Sequence, residues 1–147
     1  MTSPPTLKTL ASLSVITPFE VERIAIPKPF MTLGKAVANI AKAVGLEVLI
    51  SEHPNQPARP GRIPFEEGLA AADIISLHCP LNEHTHHLMN AEAFERMKES
   101  AMLINTGRGA LIDTTAVVEA LKSEKLGYLG IDVYEQESGL FFNDLSE

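Results

Sequence analysis

The sequence predicts an α/β fold in which an open, doubly wound parallel sheet carries helices on both faces. Strand-like and helix-like segments alternate from residue 21 to residue 133, which favours parallel strands joined by crossover helices. Residues 73–78 contain Ile74, Ile75 and Leu77, and we expect a strand of the type that is covered on both faces. Residues that favour helix ends, such as Asn90 and Gly45, stand between the segments.

Each element is predicted from its local pattern. Strands are expected at residues 21–26, 47–51, 73–78, 101–105 and 128–133. Helices are expected at residues 34–44, 64–72, 90–99 and 116–123; Asp113 or Thr114 caps the last helix, and Gly127 ends it. Because Lys35, Asn39 and Lys42 form one polar stripe on an otherwise apolar first helix, we expect that helix to be largely buried.

Composition limits the possible classes of protein. A chain of 147 residues with 45% hydrophobic and 21% charged residues is expected to form one compact domain, here residues 21–147, after a loose segment 1–20. The net charge of −7 argues against a nucleic-acid or anionic membrane partner. A lone cysteine, Cys79, indicates a reducing compartment, and no apolar run reaches the roughly 18 residues of a membrane span, so we expect a cytoplasmic protein.

A first functional signal lies in the spacing of one glycine and one acid. Gly34 opens a predicted helix and Glu52 ends the next strand, where a dinucleotide fold places an acid that binds ribose hydroxyls and repels a 2′-phosphate. The two earlier glycines of that fingerprint are absent, and Pro27 and Pro29 remove backbone donors, so phosphate binding is expected to be weakened. Ordinary helix packing and an exposed strand end explain the same pattern.

Two nearby arginines leave the choice between NAD and NADP open. Arg59 and Arg62 could receive a 2′-phosphate and favour NADP, or could lie in a solvated, proline-rich loop.

Three segments in order resemble the signature motifs of the D-isomer-specific 2-hydroxyacid dehydrogenases. They are Ser76-Leu-His-Cys-Pro-Leu81, Met102-Leu-Ile-Asn-Thr-Gly-Arg-Gly-Ala-Leu-Ile-Asp113 and Gly130-Ile-Asp-Val-Tyr-Glu-Gln-Glu137. The resemblance runs from about Leu33 to Glu147 and implies a Rossmann-like, NAD-binding domain that is incomplete at both ends. The closing segment, residues 132–142, is most similar to D-lactate dehydrogenases, whereas residues 51–54 together with residues 60–67 look more like glycerate or hydroxypyruvate reductases.

The resemblance implies specific roles. Arg108 would bind the carboxylate and polarise the carbonyl of a 2-oxo acid, and Glu137 would pair with a catalytic histidine. The alternative for Arg108 is a salt-bridged loop arginine, and the alternative for Glu137 is a solvated surface glutamate. The implied cofactor-binding residues are Leu33, Gly34, Glu52, Cys79, Pro80, Thr85, Thr106, Gly107, Arg108 and Asp132, with turn chemistry as the alternative for several of them. The implied partners are a small 2-oxo or 2-hydroxy acid and a second copy of the chain.

Departures from the family pattern shape the expected activity. The family's acid histidine lies in a Gly-His motif beyond the last matched segment, so we expect NAD(H) binding with little or no turnover by this chain alone. Rival expectations are a non-catalytic dimerisation or interaction module and a fragment of a damaged gene.

Two other kinds of site are not expected. No metal site is expected at His84-Thr-His-His87. His78 and Cys79 should point to opposite faces of a strand, which excludes a nucleophile pair.

Overall fold

The computed structural model describes residues 22–27 and 32–135. The predicted loose segment 1–20, the cofactor-loop residue Pro29 and the predicted catalytic Glu137 therefore lie outside the described residues.

Within the described residues, strands and helices alternate. The strands are β1 (Arg23–Pro27), β2 (Glu47–Ser51), β3 (Ile74–Leu77), β4 (Ala101–Asn105) and β5 (Leu126–Ile131). The helices are α1 (Thr32–Ala43), α2 (Phe65–Ala71), α3 (Ala91–Arg96) and α4 (Thr114–Lys122), with a 3-10 turn at Gly109–Leu111.

The five strands form one parallel sheet in the order β2-β1-β3-β4-β5. From β1 the chain moves to one side for β2 and returns to the other side for β3. The boundary between β1 and β3 is therefore the topological switch point, where open α/β sheets bind their ligands. The predicted doubly wound α/β class is confirmed.

Successive residues of β1 point into two separate cores. Ala25 packs with the large core that also contains residues of α2, α3 and α4. Ile24 and Ile26 pack with Ala38 and Ala41 of α1 in a smaller core on the other face. Both faces of the sheet are thus covered by helices, which is why β1 is apolar without alternation.

Helix α1 is much less buried than its composition predicts, so that expectation was wrong. Its buried residues are Gly34, Ala38 and Ala41, which recur at helical spacing and allow close approach to β1 and β2. Leu33 and Ile40, which lie together on a different side of the helix, are 56% and 64% exposed. An apolar composition does not ensure burial, because the helix meets the sheet on one stripe only.

The observed bounds match the predicted ones for two strands and differ by one to three residues at the ends of the other elements. The residues predicted for β2 and β4 are those observed, and the side chains of Asn90 and Asp113 accept the capping hydrogen bonds of α3 and α4. The predicted role of Gly127 was wrong, because Gly127 lies inside β5 rather than at a helix end. A Cβ atom there would lie 2.5 Å from the carbonyl oxygen of Ser100, so a close backbone approach requires this glycine.

Candidate cofactor site

A cavity of about 360 Å³ opens at the carboxyl ends of β3 and β4, beside the start of α1. It therefore lies at the switch point of the sheet. Six predicted cofactor-binding residues line it together with two that were not predicted to do so. The lining residues are Leu33, His78, Cys79, Pro80, Leu81, Thr106, Gly107 and Arg108. Residues from three separate segments of the sequence thus converge on one space.

Asn105 builds the loop that forms one wall of this cavity. Its side chain is fully buried, and its Oδ1 accepts a hydrogen bond of 3.0 Å from the Gly107 N–H. Its Nδ2 donates a hydrogen bond of 2.9 Å to the Arg108 carbonyl. Both halves of one amide therefore hold the turn after β4 in place. The sequence reasoning missed this residue; an asparagine at a buried strand end, directly before Thr-Gly, is the signal that points to it.

Arg108 and Asp132 are hydrogen-bonded to the backbone of Gly107 and Asn105, respectively, at the end of β4. The Arg108 side chain is exposed, and its Nη1 donates to the Gly107 carbonyl at 3.0 Å. The Asp132 N–H donates to the Asn105 carbonyl at 3.1 Å. The structure thus brings both predicted residues to the edge of the sheet that holds the cavity, with a guanidinium available to an anion.

The chain after β5 packs directly on the Arg108 loop. A Cβ atom at Gly109 would lie 2.0 Å from the Tyr134 carbonyl oxygen, so only glycine permits this contact. The Glu135 carboxylate that follows accepts hydrogen bonds from the Thr114 N–H and hydroxyl and pairs with the His87 ring. These contacts fix the segment up to Glu135.

The pKa of Glu135 is lowered from its ordinary value near 4.5 to about 2. The Thr114 side-chain hydrogen bond is the largest cause, followed by the bond to His87, and together they outweigh the opposite effect of burial.

We predict a pH-dependent contribution of Glu135 to stability. Because its folded pKa is below the unfolded one, this stabilisation is complete above about pH 5 and is lost as the pH falls toward 2. Glu135→Gln should reduce the free energy of unfolding by about 1–2 kcal/mol at pH 7, and the difference from wild type should shrink in urea titrations at pH 4 and 3. Glu99→Gln, which alters an exposed pair with Lys125, should show little change at any pH. A difference that stays constant with pH would contradict the assignment.

Cys79 contributes a neutral wall to the cavity. Burial raises the pKa of its thiol to about 11, so it remains protonated near neutrality. The neighbouring His78 ring contacts the Ser76 hydroxyl at 2.8 Å, and burial lowers the pKa of His78. Both residues follow β3, which ends at Leu77, and both line the cavity, so the prediction that they point to opposite faces of a strand does not apply to them.

Thr85 lies apart from the cavity lining. It is fully buried, and its hydroxyl donates to the Pro80 carbonyl at 2.6 Å and accepts from the Asn82 N–H at 2.8 Å. These contacts shape the turn after β3. The structure therefore supports the turn alternative for Thr85.

Glu52 is neither exposed nor unpaired. Its carboxylate is fully buried directly after β2, and Arg59 binds both of its oxygens at 2.6 and 2.9 Å. Arg62 Nε lies 3.6 Å from the same carboxylate. The alternative of an exposed strand end was thus wrong, because Glu52 is buried and paired. The proline-rich loop itself is exposed at residues 55–61, as the alternative of a solvated loop predicts, although Arg59 folds back from it onto the acid. Gly34 is buried on α1, as close helix packing requires.

The geometry around His87 favours a hydrogen-bonded network over a metal centre. Ligand atoms of His86, His87 and Glu135 lie within 4.8 Å of one another. However, the two rings are stacked with centroids 3.9 Å apart and planes 26° apart, so their in-plane lone pairs do not converge on one point. Both Glu135 oxygens are also occupied by Thr114 and His87.

No helix among the described residues is long and apolar enough to span a membrane.

Comparison with known proteins assigns this geometry to a family. Residues 30–144 match the family model for the NAD-binding domain of D-isomer-specific 2-hydroxyacid dehydrogenases. The chain is 51% identical over 106 residues to a putative 2-hydroxyacid dehydrogenase of Haemophilus influenzae, covering 71% of this chain and 34% of the relative. It is 44% identical over 118 residues to the D-lactate dehydrogenase of Escherichia coli, covering 78% and 36% respectively.

A solved structure agrees with these matches. The D-lactate dehydrogenase of Lactobacillus jensenii, determined with NAD+, superposes with a TM-score of 0.74 and 34% identity over 86% of this chain and 39% of that one. The chain spans about a third of the length of the curated relatives it matches. The switch-point cavity, the ordered motifs and these similarities together show that the chain belongs to the D-isomer-specific 2-hydroxyacid dehydrogenase family, through its NAD-binding domain.

Proposed function

We propose that this chain is the NAD(H)-binding part of an oxidoreductase that interconverts small 2-oxo acids and D-2-hydroxy acids. The observation that carries the proposal is the convergence of Leu33, Cys79, Thr106, Gly107 and Arg108 on one cavity at the switch point of the sheet. Small side chains and backbone groups form much of that wall, which suits the close approach of a flat dinucleotide. The bound cofactor supplies or accepts the hydride.

The residues of this chain would orient the reactants. Arg108 is the group proposed to bind the substrate carboxylate, because its planar guanidinium gives bidentate hydrogen bonds. Asn105 holds the loop that carries Arg108, and Asp132 lies beside the same loop. Glu137 is proposed to pair with a proton-donating histidine. The proposed domain organisation is a loose segment, residues 1–20, followed by a partial NAD-binding domain, residues 21–147. The proposed compartment is the cytoplasm.

We expect the 147-residue polypeptide to bind NADH at one site and to reduce 2-oxo acids slowly or not at all by itself. Calorimetric titration with NADH tests the first part. Arg108 also lines the cofactor cavity, so Arg108→Ala should weaken NADH binding by about tenfold through the loss of one charged hydrogen bond to the cofactor. Arg96→Ala is the matched control, since Arg96 pairs with Glu92 on the surface of α3, away from the cavity.

Two results would overturn this proposal. The absence of binding heat, in a chain shown to be folded by circular dichroism, would remove the cofactor function. Reduction of pyruvate, hydroxypyruvate or glyoxylate at about 10 s⁻¹, an ordinary enzymatic rate, would contradict the low activity expected of the chain alone.

A second candidate function, that of a homodimerisation module, is favoured by the exposed side of α1. Leu33 and Ile40 of α1 and Val44 directly after it are 56%, 64% and 71% exposed, and the spacing of seven places Leu33 and Ile40 on one side of the helix. We propose a second copy of the chain as the occupant, because a twofold contact buries the same apolar stripe on both subunits. Light scattering should then show a dimer without cofactor, and Ile40→Glu should give a monomer. A wild-type monomer at high concentration would contradict this candidate.

A further inference from the structure

His87, in the turn after β3, has a backbone conformation that is uncommon for residues other than glycine. Its φ of +50° lies in the left-handed region, which costs free energy for a residue that carries a Cβ atom. Such a conformation persists only where the surrounding structure holds it, and it is concentrated at sites where a side chain has a specific task. Both the backbone and the ring of His87 make contacts of this kind.

The backbone of His87 is bonded to the loop that carries Arg108. The His87 N–H donates to the Ala110 carbonyl at 2.8 Å, two residues after Arg108. A second bond follows in register, because the Met89 N–H donates to the Leu111 carbonyl at 3.0 Å. The turn after β3 therefore lies directly alongside the Arg108 loop.

The ring of His87 is held between two carboxylates. Its Nε2 atom donates a hydrogen bond to Glu135 Oε1, because a carboxylate only accepts. Its Nδ1 atom lies 3.8 Å from Asp113 Oδ2. The second oxygen of each carboxylate binds the start of α4, Glu135 through the Thr114 N–H and hydroxyl and Asp113 through the Ala116 N–H. The ring thus joins the segment after β5 to the first turn of α4.

His87 reaches the Arg108 loop by two routes. Its backbone binds Ala110 directly. Its ring binds Glu135, and the residue before Glu135 packs its carbonyl against Gly109, the neighbour of Arg108. The ring and the backbone of one residue therefore hold the same loop.

We propose that His87 is a positioning residue, which places the guanidinium of Arg108 for its ligand by holding the segment after β5 against the Arg108 loop. The Arg108 side chain donates to the Gly107 carbonyl of its own loop, so its position follows the geometry of that loop. Glu135 is also the residue from which the chain continues to Glu137, two positions later. This inference rests on the proposed NAD(H)-binding function.

Replacement of His87 by glycine separates positioning from stability. Glycine adopts the left-handed conformation without strain, so the relieved strain offsets the lost contact with Glu135, and the Tm should stay within about 4 °C of wild type. NADH binding, measured by calorimetry on the full chain, should nevertheless weaken by about fivefold, because the loop is no longer pre-organised. A histidine with a structural role alone would affect binding only as far as it lowers the Tm.

A double variant tests whether His87 acts through Arg108. Arg108→Ala alone is expected to weaken NADH binding by about tenfold. If His87 acts by placing Arg108, the addition of His87→Gly should leave the total loss near tenfold, whereas two independent effects would multiply to about fiftyfold.

Two further variants control for the turn and for folding. His84→Asn alters an exposed histidine of the same turn, which lies 3.5 Å from Glu83, and should leave NADH affinity unchanged. His87→Asn is the substitute if His87→Gly does not fold, because asparagine tolerates a positive φ and is shorter than the ring that binds Glu135. It should give the same loss of affinity.

The outcomes separate this inference from the proposed function. Binding of NADH by wild type that His87→Gly leaves unchanged would overturn the inference and keep the proposed function. A loss near fiftyfold in the double variant, an equal loss in His84→Asn, or a loss that appears only with a fall in Tm of more than about 10 °C would overturn it as well. Failure of the folded wild-type chain to bind NADH would overturn both.

Discussion

Replacing Gly109 by alanine should cost about 3 kcal/mol of stability or more, because the added methyl group would overlap backbone atoms. A Cβ atom at this position would lie 2.0 Å from the Tyr134 carbonyl oxygen and 2.4 Å from the Glu135 nitrogen. Neither is a flexible side-chain end that can move aside. The segment after β5 must therefore shift away from the Arg108 loop, and the Glu135 contacts with Thr114 and His87 should be lost with it.

Urea denaturation measures this effect, and Gly130→Ala is the matched control. Gly130 lies in β5, and among the described residues its added methyl group would meet only the Ile104 side chain, at 3.8 Å. Alanine is favoured over glycine within a strand, so Gly130→Ala should change stability by less than about 1 kcal/mol. Equal destabilisation by the two substitutions would show that the contact between residues 109 and 134 is not what requires the glycine.

Replacing Asn105 by alanine should weaken NADH binding by about tenfold to a hundredfold and lower stability by about 2–3 kcal/mol. The substitution leaves the Gly107 N–H and the Arg108 carbonyl without their Asn105 partners. The loop is then free to move, so the wall of the cavity is no longer pre-organised for the cofactor.

Asn90→Ala separates the two effects. Asn90 caps α3 through a hydrogen bond from the Ala93 N–H, and it is not among the residues that line the cofactor cavity. Its loss should cost about 1 kcal/mol of stability without changing NADH affinity. Thermal unfolding and calorimetry on the two variants measure stability and binding separately. Unchanged NADH affinity in Asn105→Ala would contradict a positioning role for this amide.

Much of the cofactor site could be predicted because its parts lie at strand ends. Cys79 and Pro80 follow β3 and Thr106 follows β4, and parallel strands bring their carboxyl ends to one edge of the sheet. The order of the strands therefore decides which loops meet. Recognition of the three motifs extended this prediction to Arg108 and Asp132, both of which lie at that edge in the structure.

The partners of individual charged side chains could not be predicted in the same way. His87 and Glu135 are 48 positions apart, and they meet only because α4 and the segment after β5 pack beside the same turn. Arg59 reaches Glu52 through an irregular loop that has no periodic pattern from which its direction could be read. Local rules describe neither kind of contact.

The alternation of strands and helices, the helix caps at Asn90 and Asp113, and the family motifs could all be predicted, because they depend on residues close together in the chain. Tertiary packing was needed to show which side of α1 is buried, why Gly109 and Gly127 must be glycine, and that Glu52 is covered by arginine. These features depend on the distance between segments that are remote in sequence. Short-range propensity does not encode that distance, whereas the packing of the whole sheet sets it.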